Sequence, residues 1–91
     1  MQTVIINFKG RVQGVGFRNY TYRTALKFGC VYGYVKNNSD GSVILEMIGD
    51  REKVLSVMKR VEDRFDDNIE EMDIKWLDEK KDYKTFEIKY D

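Results

Sequence analysis

The chain has 91 residues, enough for one compact domain over residues 1–91 and too few for a second core. Hydrophobic residues make up 42% and charged residues 35%, a balance that supports an ordinary core and argues against intrinsic disorder. Basic and acidic residues number 16 each, so the formal net charge is zero. That excludes the broad basic field that nucleic acids and anionic membranes require, but not one Arg holding one small anion.

In chain order, Thr3–Val12 reads as a strand: Val4, Ile6, Phe8 and Val12 alternate with Ile5, Asn7, Lys9 and Arg11. Gly10 interrupts it, as a bulge or a close backbone approach would require. After the loop Gln13–Gly16 the period changes. Phe17, Tyr20, Thr21, Thr24, Ala25 and Phe28 form one stripe of an amphipathic helix that ends at Gly29, a natural C-terminal cap. Val31–Asn37 and Val43–Ile48 read as two strands, and the intervening Asn38-Ser39-Asp40-Gly41 has hairpin-turn chemistry. A second helix spans Asp50–Phe65, with Asp50 as its N-cap and Val54, Val57, Met58, Val61 and Phe65 as its apolar stripe. Strands near Met72–Leu77 and Thr85–Tyr90, joined by a charged turn over Asp78–Asp82, complete the pattern. Strand, helix, strand, strand, helix, strand, with a short extra strand, predicts an α+β, ferredoxin-like two-layer sandwich: a mostly antiparallel sheet with both helices on one face. That fold hosts many functions and does not choose among them.

The inventory of reactive side chains narrows the chemistry. A single cysteine, Cys30, rules out an intrachain disulfide, and there is no histidine to ligate a metal or shuttle protons. Cys30, between a helix cap and a strand, is expected to be an inert packing residue. No secretory signal and no membrane span are visible, so a soluble cytoplasmic protein is expected. On that expectation the glycosylation patterns Asn19-Tyr20-Thr21 and Asn37-Asn38-Ser39 are decoys. The acidic run Asp66-Asp67…Glu70-Glu71 is expected to be a solvated turn rather than a cation site, and Trp76 is given no function.

The most informative segment is Gly10-Arg11-Val12-Gln13-Gly14-Val15-Gly16-Phe17-Arg18. It leads from a strand into a helix N-terminus, where backbone N–H groups lack helical partners and the dipole adds partial positive charge. Gly14 and Gly16 let the backbone curl so that successive N–H groups converge on one anion, and Arg18 adds a planar cationic fork. The run fails the dinucleotide fingerprint, because Asn19 stands in place of the third glycine, and it lacks the Gly-Lys-Ser/Thr ending of a nucleotide loop. On spacing alone, an anion cradle and a plain turn both remain open.

The same run resembles the acylphosphatase signature G-x-V-Q-G-V-x-F-R. A second signature of that family, G-W-V-x-N followed by a glycine-bearing turn, is matched by Gly33-Tyr34-Val35-Lys36-Asn37 and then Asp40-Gly41. The helix between them and the closing Phe86-Glu87-Ile88-Lys89-Tyr90 fit as well, so the similarity covers essentially the whole chain. The chain departs at Tyr34, where tryptophan is usual, and at Val31, where leucine is common. The resemblance implies hydrolysis of the carboxyl–phosphate bond of acyl phosphates in a ferredoxin-like fold, without metal or cofactor; a monomer is expected, since nothing in the sequence suggests an obligate partner. It puts the catalytic arginine on Arg18, the catalytic asparagine on Asn37, and the backbone phosphate cradle on Gln13, Gly14, Val15, Gly16 and Phe17, running into Arg18.

Other readings compete. A non-catalytic module that senses or binds phosphoanhydrides would keep the cradle and lose turnover. Domains of this kind also occur in larger hydrogenase-maturation proteins that act on carbamoyl phosphate, but the single domain expected here argues against that role. An RNA-recognition domain shares the order of elements and would use Tyr32 and Tyr34, but its main aromatic motif belongs on Ser42–Ile48, which has no aromatic residue.

Overall fold

A computed structural model describes residues 2–78 and 81–90. Five strands and two helices follow in the order β1 (Thr3–Gly10), α1 (Phe17–Phe28), β2 (Val31–Asn37), β3 (Val43–Gly49), α2 (Arg51–Arg64), β4 (Ile69–Leu77) and β5 (Phe86–Lys89). The strands form one sheet in the order β4-β1-β3-β2-β5. β1 pairs antiparallel with β3 and β4, β2 antiparallel with β3, and β5 parallel with β2. The expected ferredoxin-like sandwich is the observed fold.

One face of the sheet and both helices share a single core. Val4, Ile6 and Phe8 stand opposite Met47, Leu45 and Val43 in register, and all six are fully buried. Onto them pack Phe17, Thr21, Thr24 and Ala25 of α1 and Val54, Val57 and Val61 of α2. Two threonines sit in the buried stripe of α1 because each hydroxyl donates to the carbonyl one turn back. Thr21 Oγ1 reaches Phe17 O at 2.9 Å and Thr24 Oγ1 reaches Tyr20 O at 2.8 Å, so burial leaves neither unsatisfied.

Aromatic stacking fixes where α1 begins. The Phe17 ring, 2% exposed, lies 4.8 Å from Phe8 and 4.7 Å from Phe65. This three-ring contact ties the first residue of α1 to β1 and to the end of α2, beyond what area burial alone supplies. The residue that follows, Arg18, is therefore held at the surface next to a rigid anchor.

Four strands differ in extent from the expected ones, β3 only by running one residue further, to Gly49. β1 ends at Gly10 rather than Val12, because the register shifts between Lys9 and Gly10 and Arg11 N–H turns to the Asn68 carbonyl at 2.9 Å. At φ +126° a side chain on Gly10 would put its Cβ 2.3 Å from Asn68 O, so the bulge demands glycine. β4 begins at Ile69 rather than Met72. The adjacent Glu70 and Glu71 hide this start, but pairing with β1 sets the Lys9 ammonium 3.5 Å from Glu71 and 3.7 Å from Asp73. β5 is shorter than Thr85–Tyr90, running from Phe86 to Lys89. Within the charged turn expected over Asp78–Asp82, Glu79 and Lys80 lie outside the described residues.

Cys30 departs from its expected packing role. It is exposed, with φ 56°, and it links α1 to β2 beside Gly29. A left-handed conformation turns the chain sharply there, leaving its neighbour Val31 as the buried residue.

Candidate active site

A cleft of about 210 Å³ opens where the β1–α1 loop meets the ends of β2 and β5. It is lined by Gly14, Gly16, Phe17, Arg18 and Asn37 from the sequence-predicted set, together with Val12, Asn19, Ile88 and Tyr90. Arg18 and Asn37 therefore face one space although a helix and a strand separate them in sequence. Gln13 and Val15 are not among the lining residues. Val15 is exposed, and the Gln13 side chain is directed to the hairpin that follows β2.

The loop backbone is shaped for an anion. Gly14 and Gly16 have φ +76° and +83°, the left-handed region in which glycine is unstrained. Gly16 caps α1 through its backbone alone, with no side-chain acceptor and no acidic residue in the first turn. The first main-chain bond of the helix runs from Tyr20 N–H to Gly16 O at 3.0 Å, so the preceding N–H groups have no helical acceptor. The other helix is finished differently. Asp50 accepts from Glu52 N–H at 2.9 Å, and Glu52 itself complements the dipole. One N-terminus is satisfied by its own side chains, and the other is left open onto the cleft.

Arg18 is half-buried, with its guanidinium carbon 5.0 Å from the centroid of the Tyr90 ring. Among the described residues no carboxylate stands within ion-pair distance of it. Asn37 is the last residue of β2, and parallel pairing of Lys36 with Lys89 brings the end of β5 alongside it. No carboxylate, lysine or histidine is found among the described residues lining the cleft. The arrangement offers one cationic fork, several free amides and one carboxamide, which is equipment for gripping a small oxyanion.

The hairpin beyond Asn37 is tightly knit. Asn38 N–H donates to Ser42 O at 2.8 Å, Asn38 Nδ2 donates to Ser42 Oγ at 3.0 Å, and Ser42 Oγ donates to Asp40 Oδ1 at 2.6 Å. The Ser42 hydroxyl, and then its backbone N–H, hold the Asp40 carboxyl below its ordinary range.

Ile88 and Tyr90 are site residues that sequence reasoning did not single out. Nothing in their own alternation marks them, because only the parallel β2–β5 register brings residue 90 next to residue 37. Two features set apart as unconnected with the site lie away from it. Of the acidic cluster, Asp66 and Asp67 are exposed and Glu71 is paired with Lys9. Trp76 packs against the core under the Arg51 guanidinium, 4.5 Å from its ring.

Comparison with known proteins bears on what this cleft is for. The acylphosphatase family model matches residues 4–88. An acylphosphatase of Oceanobacillus iheyensis is 37% identical, over 99% of this chain and all of the relative. One of Salinibacter ruber is 41% identical, over 88% of this chain and 84% of the relative. The crystal structure of acylphosphatase from Bacillus subtilis superposes with a TM-score of 0.87 at 27% identity, covering 99% of this chain and all of that one. The match takes in both the glycine loop with Arg18 and the strand that ends in Asn37, so the chain belongs to the acylphosphatase family and has the activity of an acylphosphatase, a hydrolase of acyl phosphates.

Proposed function

We propose that the cleft binds the phosphate of an acyl phosphate through Arg18 and the main-chain N–H groups of the Gln13–Phe17 loop, while Asn37 holds the attacking water. The observation that carries this reading is the convergence of Arg18, a helix N-terminus without a side-chain cap and Asn37 on one cleft.

The chemistry suits such sparse equipment. An acyl phosphate is a mixed anhydride whose leaving carboxylate has a conjugate-acid pKa of about 4, so it departs without being protonated. No general acid is needed, in keeping with a chain that has no histidine. Phosphoryl transfer then calls for alignment and for stabilising charge on the equatorial oxygens. The guanidinium fork and the loop amides supply that charge stabilisation, already oriented before reaction. The Asn37 carboxamide, with an acceptor oxygen and two N–H donors, orients the water. The water oxygen attacks phosphorus, the P–O bond to the acyl group breaks, and the carboxylate leaves with the bonding pair. A phosphoryl oxygen takes the water's proton.

Among the described residues no helix is long and apolar enough to cross a membrane. We infer a cytoplasmic monomer: a single cysteine suits a reducing compartment, and light scattering at micromolar concentration checks the stoichiometry.

The test is hydrolysis of benzoyl phosphate in EDTA by the wild type and by Arg18→Ala. Fast turnover that falls by at least about 10³ in the variant is expected, because Arg18 both binds phosphate and stabilises the transition state. A wild type that binds inorganic phosphate without turning over benzoyl phosphate would instead make the cleft a phosphoanhydride sensor.

A further inference from the structure

We propose that the Gln13 side chain is a positioning residue: it bolts the phosphate loop to the β2–β3 hairpin and so sets where Asn37 stands relative to the bound phosphate. The inference rests on the water-orienting role of Asn37 proposed above.

The geometry is specific. The Gln13 Nε2 amide group donates both its protons across the neck of the hairpin, to Asn38 O at 2.7 Å and to Ser42 O at 2.9 Å. Those two carbonyls belong to the two sides of the turn. Asn38 follows Asn37 directly, and Ser42 immediately precedes β3. The same neck is closed from within by Asn38 N–H to Ser42 O and by Gly41 N–H to Asn38 O at 3.2 Å. Gln13 adds the link that the hairpin cannot make for itself, the one to the loop carrying Gly14, Gly16 and Arg18. The two partners lie 25 and 29 residues away in sequence, so the bolt joins parts that no local structure holds together.

A reaction that depends on alignment makes such a link matter. A displacement of about 1 Å between reacting groups can cost on the order of 10² in rate, and a productive site holds its groups to within about 0.5 Å. Arg18 and the loop amides move with the phosphate, whereas Asn37 moves with β2. Losing the bolt therefore loosens the water against the phosphate while leaving the phosphate grip intact. Gln13 acts here through its side chain, and its substitution leaves its main-chain N–H in place.

The test is a double-mutant cycle between Gln13 and Asn37, read by kcat for benzoyl phosphate and by the inhibition constant of inorganic phosphate. Gln13→Met, nearly isosteric but without the donors, and Gln13→Ala are each expected to lower kcat by roughly 10- to 100-fold. Phosphate inhibition should stay within about twofold, since the cradle is unchanged. In an Asn37→Ala background the same Gln13 substitutions should lower kcat by less than about threefold, because the group they position is gone. A folded Gln13→Met with full kcat overturns the proposal, and so do losses that simply multiply in the double variant. If Asn37→Ala alone keeps full kcat, the water-orienting reading fails and this inference falls with it. That result is distinct from a cycle that is merely additive.

Discussion

At the scale of single residues, the site works by leaving some groups unsatisfied and satisfying their neighbours. Arg18 has a ring beside it but, among the described residues, no carboxylate, so its charge is not already spent on an ion pair. Asn37 stands at the cleft while the amide next to it, Asn38, is turned into the hairpin, where its Nδ2 donates to Ser42 Oγ. On the proposed roles, Asn37→Ala should lower kcat by about 10² to 10³, the usual consequence of removing one preorganised hydrogen-bonding group from such a site. Inhibition by inorganic phosphate should barely change. Steady-state kinetics with phosphate as competitor separates the two, and an Asn37→Ala enzyme with full kcat would remove the asparagine from the mechanism. Both residues were legible in the sequence because they close two recognisable signatures. Tyr90 was not, since a tyrosine just past β5 gains meaning only when a parallel strand pairing carries it to the cleft, beside Arg18.

At the scale of elements, the two helices show the same backbone problem solved for opposite ends. α2 has a side-chain cap in Asp50, and its stripe of valines packs into the core. α1 has a left-handed glycine as cap and an N-terminus open to the cleft. Asp50→Ala should therefore cost about 1 kcal/mol of stability, typical for a lost N-cap, and leave kcat for acyl phosphate unchanged. Urea unfolding beside steady-state assays checks both halves. A stability loss with altered kcat would mean that α2 communicates with the cleft through the Phe65–Phe17 contact. The periodicity of both helices was plain in the sequence, since a one-sided apolar stripe needs no tertiary knowledge to recognise. The start of β4 was not, because Glu70 and Glu71 face solvent on an edge strand and break the alternation that marks a half-buried strand.

At the scale of the whole molecule, the chain must return from β4 on one edge of the sheet to β5 on the other. Tyr83, in that crossing segment, donates its hydroxyl to Glu46 of β3, a residue only 5% exposed, and its ring meets Tyr34 edge-on at 6.2 Å. Burial, then Glu46, raises the pKa of both Tyr34 and Tyr83 above the ordinary value of 10.0. The neutral phenol is thus favoured in the folded state. Below about pH 10 this contribution is fully present. Above it the unfolded chain ionises these tyrosines more readily than the native one, and stability falls as pH rises. Urea midpoints measured from pH 8 to 11 should decline more steeply for the wild type than for Tyr83→Phe, which lacks the titrating group. Equal slopes would show that the cluster does not govern alkaline unfolding.

The layered fold, the apolar faces, the glycine loop and the two polar residues on which the proposed mechanism turns can all be read along the chain. These are written in short-range patterns: a period of two or of 3.6, a cap, a turn, a signature of nine residues from Gly10 to Arg18. How those pieces face one another is written only in the folded chain. Gln13 reads in the sequence as part of the cradle, yet its side chain spans to the hairpin. Ile88 and Tyr90 join the cleft, and Tyr83 reaches Glu46 across the sheet. Such contacts link residues far apart in the chain, and they exist only because the sheet order β4-β1-β3-β2-β5 sets distant segments side by side.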